Sequence, residues 1–425
     1  MAKHDRRRTR RQPPSSRSVS IQVPLPVLGV LRDVRQAFHG LCISTGLQVL
    51  QAMMEDDRDA VCGPKGRHQA ARTAWRGGSV ASHVTLGGRQ VSVPRLRVRN
   101  AAGEVPLASF EWAAATDPLE AHTLEAIAAG VSTRRYARTL DPVPREVEER
   151  ATSRGAVSRR FVALSTVRLH AFLGRPLGEL DLRVVCIDGK VFRDHCIVIA
   201  LGVDTEGRKH VLGLREGATE TAAVATGLLN DLVTRGLPTD RTMLFLVDGA
   251  QALRRAITDI YGPLALIQRC QAHKYRNVLG HLPARLHANV GRALRTAWDL
   301  QSATSAKRAL EQLAHSLGDG HPGAAASVRE GLDETLTVLR LGLAGSLQRT
   351  LRTTNIIENL NSGVERYTRN VKRWRGGQMI QRWVASALLD AEQRFRRVRG
   401  HATMRHLTSA LDALVPSEVG AERVA

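Results

Sequence analysis

No stretch of the chain approaches the ~18 consecutive apolar residues of a membrane helix, so a helical membrane protein is excluded at the outset. Paired cysteines are lacking too. Cys42, Cys62, Cys186, Cys196 and Cys270 are odd in number and form no CxxC, which excludes a disulfide framework and a zinc ribbon and fits a reducing compartment. The Arg-rich amino terminus has no apolar stretch behind it, so it does not read as a secretory signal, and a cytoplasmic location is expected. No Ser-His-Asp signature offers a nucleophile. Acids are scarce beside bases, with 40 Asp and Glu against 62 Lys and Arg, a net charge of +22.

What is present fits a soluble, nucleic-acid-directed protein. The 425 residues allow roughly two or three domains, and a hydrophobic content of 43% is enough for a packed core. The positive field attracts polyanions. Arg exceeds Lys heavily, which suits bidentate phosphate binding. A GC-rich genome would explain Arg over Lys, but not the excess over acids.

Along the chain, residues 1–20 form a basic, Pro/Ser-containing tail without apolar periodicity. From Val23 to Asp57 apolar residues recur at helical spacing. Residues 80–98 alternate instead, and Gly87-Gly88 predicts the turn of a β-hairpin decorated by Arg89, Arg95, Arg97 and Arg99. Residues 118–172 read as helical. There GVSTRRYARTL and ATSRGAVSRRFVAL each open on Ser or Thr, and Ser153 and Ser158 ahead of Arg159 and Arg160 predict a helix-turn-helix whose second helix carries those arginines. A structural helix pair is the competing reading.

The centre is more regular. Short buried strands are predicted at 183–188, 195–204, 209–217, 242–248 and 264–270, with helices at 219–236, at 250–261 and from about His273. Three strands, a helix, a strand, a helix and a strand is the order of an RNase H-like α/β core, a mixed five-stranded sheet. Residues 281–350 interrupt it with helical, Ala/Leu-rich sequence, and TTNIIENLNSGVERYTRNVKRW resumes it as a helix capped at Thr353, Thr354 and Asn355. Two further helices, at about 378–398 and 403–414, close the chain.

Asp188 in VVCIDGK and Asp248 in LFLVDGA stand at the ends of buried strands, each followed by a glycine that lets backbone and substrate come close. Strand-end carboxylates are where catalytic groups of α/β sheets collect. One such Asp alone would read as a turn residue capping the next helix. Beyond the interruption Glu358 supplies a third carboxylate, although composition equally permits Glu365 two turns on. Carboxylates packed together repel unless cations neutralise them. Mg²⁺, for which Mn²⁺ can substitute, takes oxygen ligands. Two such ions ~3.5–4 Å apart activate an attacking water or 3′-hydroxyl and steady the leaving oxygen. Arg366, Arg369, Lys372 and Arg373 follow, with 366, 369 and 373 on one helical face, a candidate phosphate track. Cys270 and His273 form a C-x-x-H without the second pair of a zinc site.

In order along the chain, GLREGATET, LNDLVTRGL, LFLVDGAQALRRAI, QRCQAHKYRNVLGHLP, RTTNIIENLNSGVERYTRNVKRW and LLDAEQRFRRVRG resemble the blocks of Mutator-type transposases of bacterial insertion sequences. The likeness spans roughly 118–400. It implies an acidic triad of Asp188, Asp248 and Glu358, the last through its Thr-Asn-x-x-Glu pattern, with an all-helical domain between Asp248 and Glu358. It also implies that Cys270 and His273 stand beside the triad, with His273 facing the DNA backbone. Trp298 resembles a family tryptophan that handles unpaired or hairpinned DNA ends, though core packing suits it equally.

The expected organisation is therefore a tail (1–20), a mainly helical DNA-binding region (21–175), a first part of the catalytic core (180–280), a helical insertion (281–350), a second part of the core (351–400) and a carboxy-terminal helix and tail (401–425). The expected function is binding of terminal inverted repeats, cleavage, and joining of 3′-hydroxyl ends to target DNA by a homodimer or larger assembly. A nuclease that only cuts, or a catalytically silent DNA-binding regulator, are the alternatives.

Overall fold

The computed structural model describes residues 34–67, 72–86, 89–115, 149–150 and 153–414, with Ile127, Val131 and Tyr136. The chain divides into two compact units, one of residues 1–127 and 131–160, the other of 128–130 and 161–425.

In the first unit, α1 (Val34–Cys62) lays Leu50, Met54 and Cys62, spaced by whole helical turns, on an antiparallel sheet. Its strands are β1 (Ala74–Leu86), β2 (Arg89–Asn100), β3 (Gly103–Val105) and β4 (Glu149–Arg150), and α2 (Ala108–Ala115) adds Phe110 and Ala113 to the same core. β1 and β2 pair from Leu86↔Arg89 to Ala74↔Asn100, the predicted hairpin, with a register shift between Arg76 and Ser79 where Gly77 and Gly78 stand. Val91, Val93, Leu96 and Val98 point inward. Among the described residues the predicted hairpin extends into a four-stranded sheet beside the expected helices. Its arginines also differ from expectation: Arg89 is buried, and Arg95 and Arg97 are held by Glu104 at 2.8 Å each. The tail 1–20, the start of the helix before Val34, the Gly87-Gly88 turn and GVSTRRYARTL at 130–140 lie outside the described residues.

Of the predicted helix-turn-helix only the second helix lies among the described residues, and it starts ahead of Ser158 instead of after it. α3 (Arg154–Leu173) runs unbroken through Ser158, Arg159 and Arg160. Ser153 takes the N-cap position, its Oγ accepting from Ala156 N–H at 3.1 Å, and no Gly or Pro follows Gly155 to stop the helix before Leu173. Ser158 is therefore a mid-helix residue, and Arg159 is exposed.

The second unit is built on a five-stranded sheet in the order β7-β6-β5-β8-β9, from β5 (Leu182–Phe192), β6 (His195–Asp204), β7 (Lys209–Gly217), β8 (Met243–Val247) and β9 (Ala265–Arg269). β5, β8 and β9 run parallel, while β6 and β7 are antiparallel. All five lie where the strands were predicted. Leu182 to Ile187 are buried without interruption because both faces are covered. Val185, Ile187, Phe245 and Val247 pack with α4 (Ala222–Thr234) and α5 (Gln251–Tyr261) on one face. On the other, Val184, Cys186, Leu244 and Leu246 pack with α12 (Asn355–Thr368) and α13 (Gly377–Glu392), with α14 (Met404–Asp412) beyond.

Between β9 and α12 lie α6 (Gln271–Gly280), α7 (Ala284–Trp298), α8 (Ala303–Leu317), α9 (Pro322–Arg329), α10 (Thr337–Arg340) and α11 (Gly345–Leu351). α7 to α9 build their own core around Leu294, Trp298, Leu310 and Val328. That core is tied to the sheet by a buried polar seam. Lys274 Nζ donates to the carbonyls of Ser327 and Glu330 at 2.6 Å each, and the Gln268 and Gln271 amides both donate to the Thr335 carbonyl at 3.0 and 2.9 Å. Burial, then the nearby Arg269, pulls the Lys274 ammonium down to about 8.

Candidate active site

β5 and β8 are parallel neighbours with Cys186 opposite Leu246, so Asp188 and Asp248 stand at the same end of that pair; β5 runs on past the expected strand end at Asp188 to Phe192, paired with β6. α12 crosses β5 there, and its first turn supplies Glu358 and, three residues on, Asn361. The three carboxylates interact. Asp188 is pushed up to about 6, first by burial and then by the charge of Asp248, with Glu358 adding to it and His273 and Asn361 opposing. Glu365, the other acid that composition allowed, is turned outward and pairs with Lys190 at 3.1 Å.

Each of the three has one oxygen fixed by a neutral donor. Asn361 Nδ2 donates to Asp188 Oδ2 at 2.6 Å, the Ala250 amide to Asp248 Oδ1 at 2.8 Å, and Thr354 Oγ1 to Glu358 Oε1 at 2.7 Å. The second oxygen of each has no hydrogen-bond partner among the described residues. Asp248 thus does organise the turn into α5, as a lone strand-end Asp would, but with one oxygen only. Thr354 holds the N-cap position of α12, yet its hydroxyl serves Glu358 instead of capping the helix as expected.

The two glycines behind Asp188 and Asp248 do not leave room for substrate. A side chain at Gly249, whose φ is +113°, would collide with the Arg269 guanidinium. One at Gly189 would collide with the carboxylate of Glu220, in the turn between β7 and α4. Glu220 is pushed up to about 7 by burial and then by the charges of Asp248 and Asp188. Sequence reasoning missed both Glu220 and Asn361. Their signals were a Glu just ahead of the Thr221 cap and an Asn one turn after Glu358, each ordinary by itself.

Cys270 and His273 stand beside Glu358. Sγ of Cys270, a ring nitrogen of His273 and a carboxylate oxygen of Glu358 lie within 4.8 Å of one another. The Thr354 amide donates to Cys270 Sγ at 3.3 Å, and His273 Nδ1 is 3.6 Å from Glu358 Oε1. Burial alone would raise the Cys270 thiol, but hydrogen bonds from His273 and Thr354 together bring it below its ordinary value, and the same bond raises His273.

A divalent cation with oxygen ligands suits these residues. Asp188, Asp248 and Glu358 each present an oxygen that is unused among the described residues.

Two sets of residues expected to touch DNA are repositioned. Trp298 is buried in the insertion core with Nε1 donating to Thr335 Oγ1 at 3.3 Å, so it offers no free face for a base. Arg366, Arg369, Lys372 and Arg373 are all exposed, but they do not share one helical face. α12 ends at Thr368, whose hydroxyl turns back to the Val364 carbonyl, and Trp374 then draws the chain inward against Phe192 at 5.4 Å. Lys372 and Arg373 therefore lie on extended chain.

The family model for "Transposase, Mutator family" matches residues 33–398. Among curated relatives, the transposase for insertion sequence element ISRM5 of Rhizobium meliloti (strain 1021) is 26% identical over 84% of this chain and 89% of its own length. The transposase for IS6120 of Mycolicibacterium smegmatis is 30% identical over 52% of this chain and 68% of its own. The transposase for IS406 of Burkholderia multivorans is 30% identical over 62% and 68%. The carboxylate cluster, the C-x-x-H beside it and the helical insertion all fall inside the matched span, and this chain belongs to the Mutator family of transposases.

Proposed function

We propose that this transposase binds the terminal inverted repeats of its own element, hydrolyses a phosphodiester at each end and joins the freed 3′-hydroxyl to target DNA. The reaction runs on an RNase H-like core, with Asp188, Asp248 and Glu358 holding two Mg²⁺ or Mn²⁺ ions. Pairing of two element ends calls for a homodimer or larger assembly.

One observation carries this reading: Asp188 feels the charges of both Asp248 and Glu358, and each of the three has one oxygen tethered by a neutral donor and the other unused. Such tethering orients ligands and sets their basicity before any ion arrives. When bound, the ions supply an activated water or 3′-hydroxyl and neutralise the leaving oxygen. Asn361 keeps Asp188 turned toward the sheet edge. Thr354 fixes Glu358 so that His273 and Arg276, the latter 3.8 Å from Glu358, flank the path of the phosphate backbone. Arg366, Arg369, Lys372 and Arg373 extend that cationic path along exposed chain.

Purified protein should nick DNA carrying the element's terminal repeats only when Mg²⁺ or Mn²⁺ is added. Asp188→Asn, Asp248→Asn and Glu358→Gln should each reduce nicking by more than the roughly 10–100-fold typical of a residue behind a metal ligand. A variant that still nicks at the wild-type rate removes its residue from the ligand set.

A further inference from the structure

We infer that Cys270, His273 and Glu358 form a second cation site, one for a thiophilic divalent ion of the zinc class, which shares Glu358 with the magnesium site. The sharing rests on the reading of Glu358 given above; the sulfur-bearing half of the site does not.

The sequence argued against zinc because Cys270 and His273 have no second Cys/His pair. The fold supplies the missing ligand from another element. Cys270 takes the N-cap position of α6 and His273 lies in its first turn, while Glu358 comes from the first turn of α12. The two helix starts are fastened together: the Gln271 amide donates to the Arg352 carbonyl at 3.0 Å and the Thr354 amide to Cys270 Sγ at 3.3 Å. One sulfur, one ring nitrogen and one carboxylate oxygen then lie within 4.8 Å of one another. Ligand atoms around a tetrahedral zinc ion, bound at about 2.0–2.3 Å, are roughly 3.3–3.6 Å apart. His273 Nδ1 stands 3.6 Å from Glu358 Oε1. Side-chain adjustment alone separates this cluster from a coordinated set.

The donor types select the ion. Thiolate and imidazole favour zinc over magnesium, and the acids of the magnesium site bring no sulfur. The Thr354 amide, by donating to Sγ, favours the thiolate that a metal needs. Cys270 is buried, whereas His273 and Glu358 are half-buried, so an ion enters from their side and keeps a fourth position for water. Arg276, 3.8 Å from the same Glu358 oxygen, is exposed and can swing clear. Glu358 cannot give its charge in full to two ions, so a zinc-class ion here weakens the magnesium site. The competing role is a polar knot that only joins α6 to α12. A knot would bind no metal, and a serine at 270 would serve it as well.

Titration of the reduced, full-length protein with Co²⁺, a spectroscopic stand-in for zinc, separates the two. Wild type should show a thiolate-to-Co²⁺ charge-transfer band in the near ultraviolet, which Zn²⁺ erases. Cys270→Ser should abolish the band, while His273→Gln and Glu358→Gln should keep it and weaken Co²⁺ binding at least about 10-fold. No band in wild type, or an undiminished band in Cys270→Ser, overturns the site. Should Cys270→Ser not fold, His273→Gln decides, and wild-type Co²⁺ affinity there overturns the site equally. Wild-type affinity in Glu358→Gln overturns the sharing. Asp188→Asn should leave the band in place. If that variant also nicks DNA at the wild-type rate, the magnesium reading falls while the sulfur-bearing site stands.

Discussion

The same dipeptide stands where two neighbouring strands part, Asp188-Gly189 where β5 leaves β8 while staying paired with β6, and Asp248-Gly249 just past β8, yet the two exits are used in opposite ways. At β5 the glycine is ordinary extended backbone, and the space beside it is taken by an anion, Glu220. At β8 the glycine has a φ of +113°, and the space is taken by a cation, Arg269, which reaches on to Glu330 of the insertion at 3.0 Å. One exit gathers negative charge beside the site; the other fastens the insertion. Identical local sequence thus specifies an opening, and distant residues decide what fills it.

The widest gap between the exits should vanish in catalysis. Asp188→Asn and Asp248→Asn should abolish nicking alike, since each carboxylate has one tethered and one unused oxygen. Unequal losses in a nicking assay would show that the two exits contribute different groups to the reaction.

Stability should separate them instead. Gly249→Ala forces an L side chain into a left-handed backbone region, worth about 1–3 kcal/mol, and pushes Arg269 off Glu330 besides. Gly189→Ala meets only the end of a flexible side chain, and a strand gains roughly 0.5–1 kcal/mol on replacing glycine, so its net change should be small. Urea unfolding of both variants checks the contrast, and equal midpoints would dissolve it.

A third expectation concerns pH at the β5 exit. Asp188 titrates at about 6 in the folded protein against an ordinary 3.8, so its acid form is favoured by folding. The stability this contributes is fully present below the ordinary value and is lost as pH rises through about 6. The metal-free protein should therefore lose melting temperature between about pH 4 and 7 by more than Asp188→Asn does. Mn²⁺ affinity should fall as pH drops through the same window, because the ligand must be ionised to bind.

The smallest effect belongs to the segment beyond α12, whose Lys372 carbonyl accepts from Arg193 at the β5–β6 turn. Replacing Arg369 and Arg373 with Ala should leave nicking chemistry intact and flatten the salt dependence of DNA binding by roughly 0.9 for each phosphate that is no longer neutralised. Filter binding over a salt series, on repeat and random DNA alike, measures it.

Much of the sheet was legible in the sequence because its strands are short, apolar on both faces and bounded by turn residues, as in Leu182 to Ile187. The kinship of Asp188 and Asp248 was legible in two buried strands that each run into Asp-Gly, although β5 continues past its Asp to Phe192. Glu358 in preference to Glu365 did not follow from composition, because both lie on α12, and only packing against β5 turns one inward and leaves the other to Lys190. Glu220 was hidden for a different reason: it lies in the turn before α4, and its place beside Gly189 comes from packing that no periodicity in its own segment reports. Ser158 misled because a Ser before two arginines resembles a helix start, whereas Ser153 had already capped the helix. Trp298 misled because an aromatic on an amphipathic helix suits a core as well as a base.

The polar seam has a consequence for how the two parts of this unit can change. Lys274, Gln268 and Gln271 grip the insertion by the main-chain carbonyls of Ser327, Glu330 and Thr335. Every residue type carries a carbonyl, so these bonds are blind to the side chains at Ser327 and Thr335, whereas the Glu330 carboxylate is itself held by Arg269 at 3.0 Å and Lys274 at 3.4 Å. For the carbonyl contacts the specificity lies with the donors of the core, while Glu330 and Thr337, whose hydroxyl donates to the Ile267 carbonyl at 2.7 Å, add side chains of the insertion. Away from those few side chains the insertion can therefore drift in sequence while its mounting on the core stays fixed.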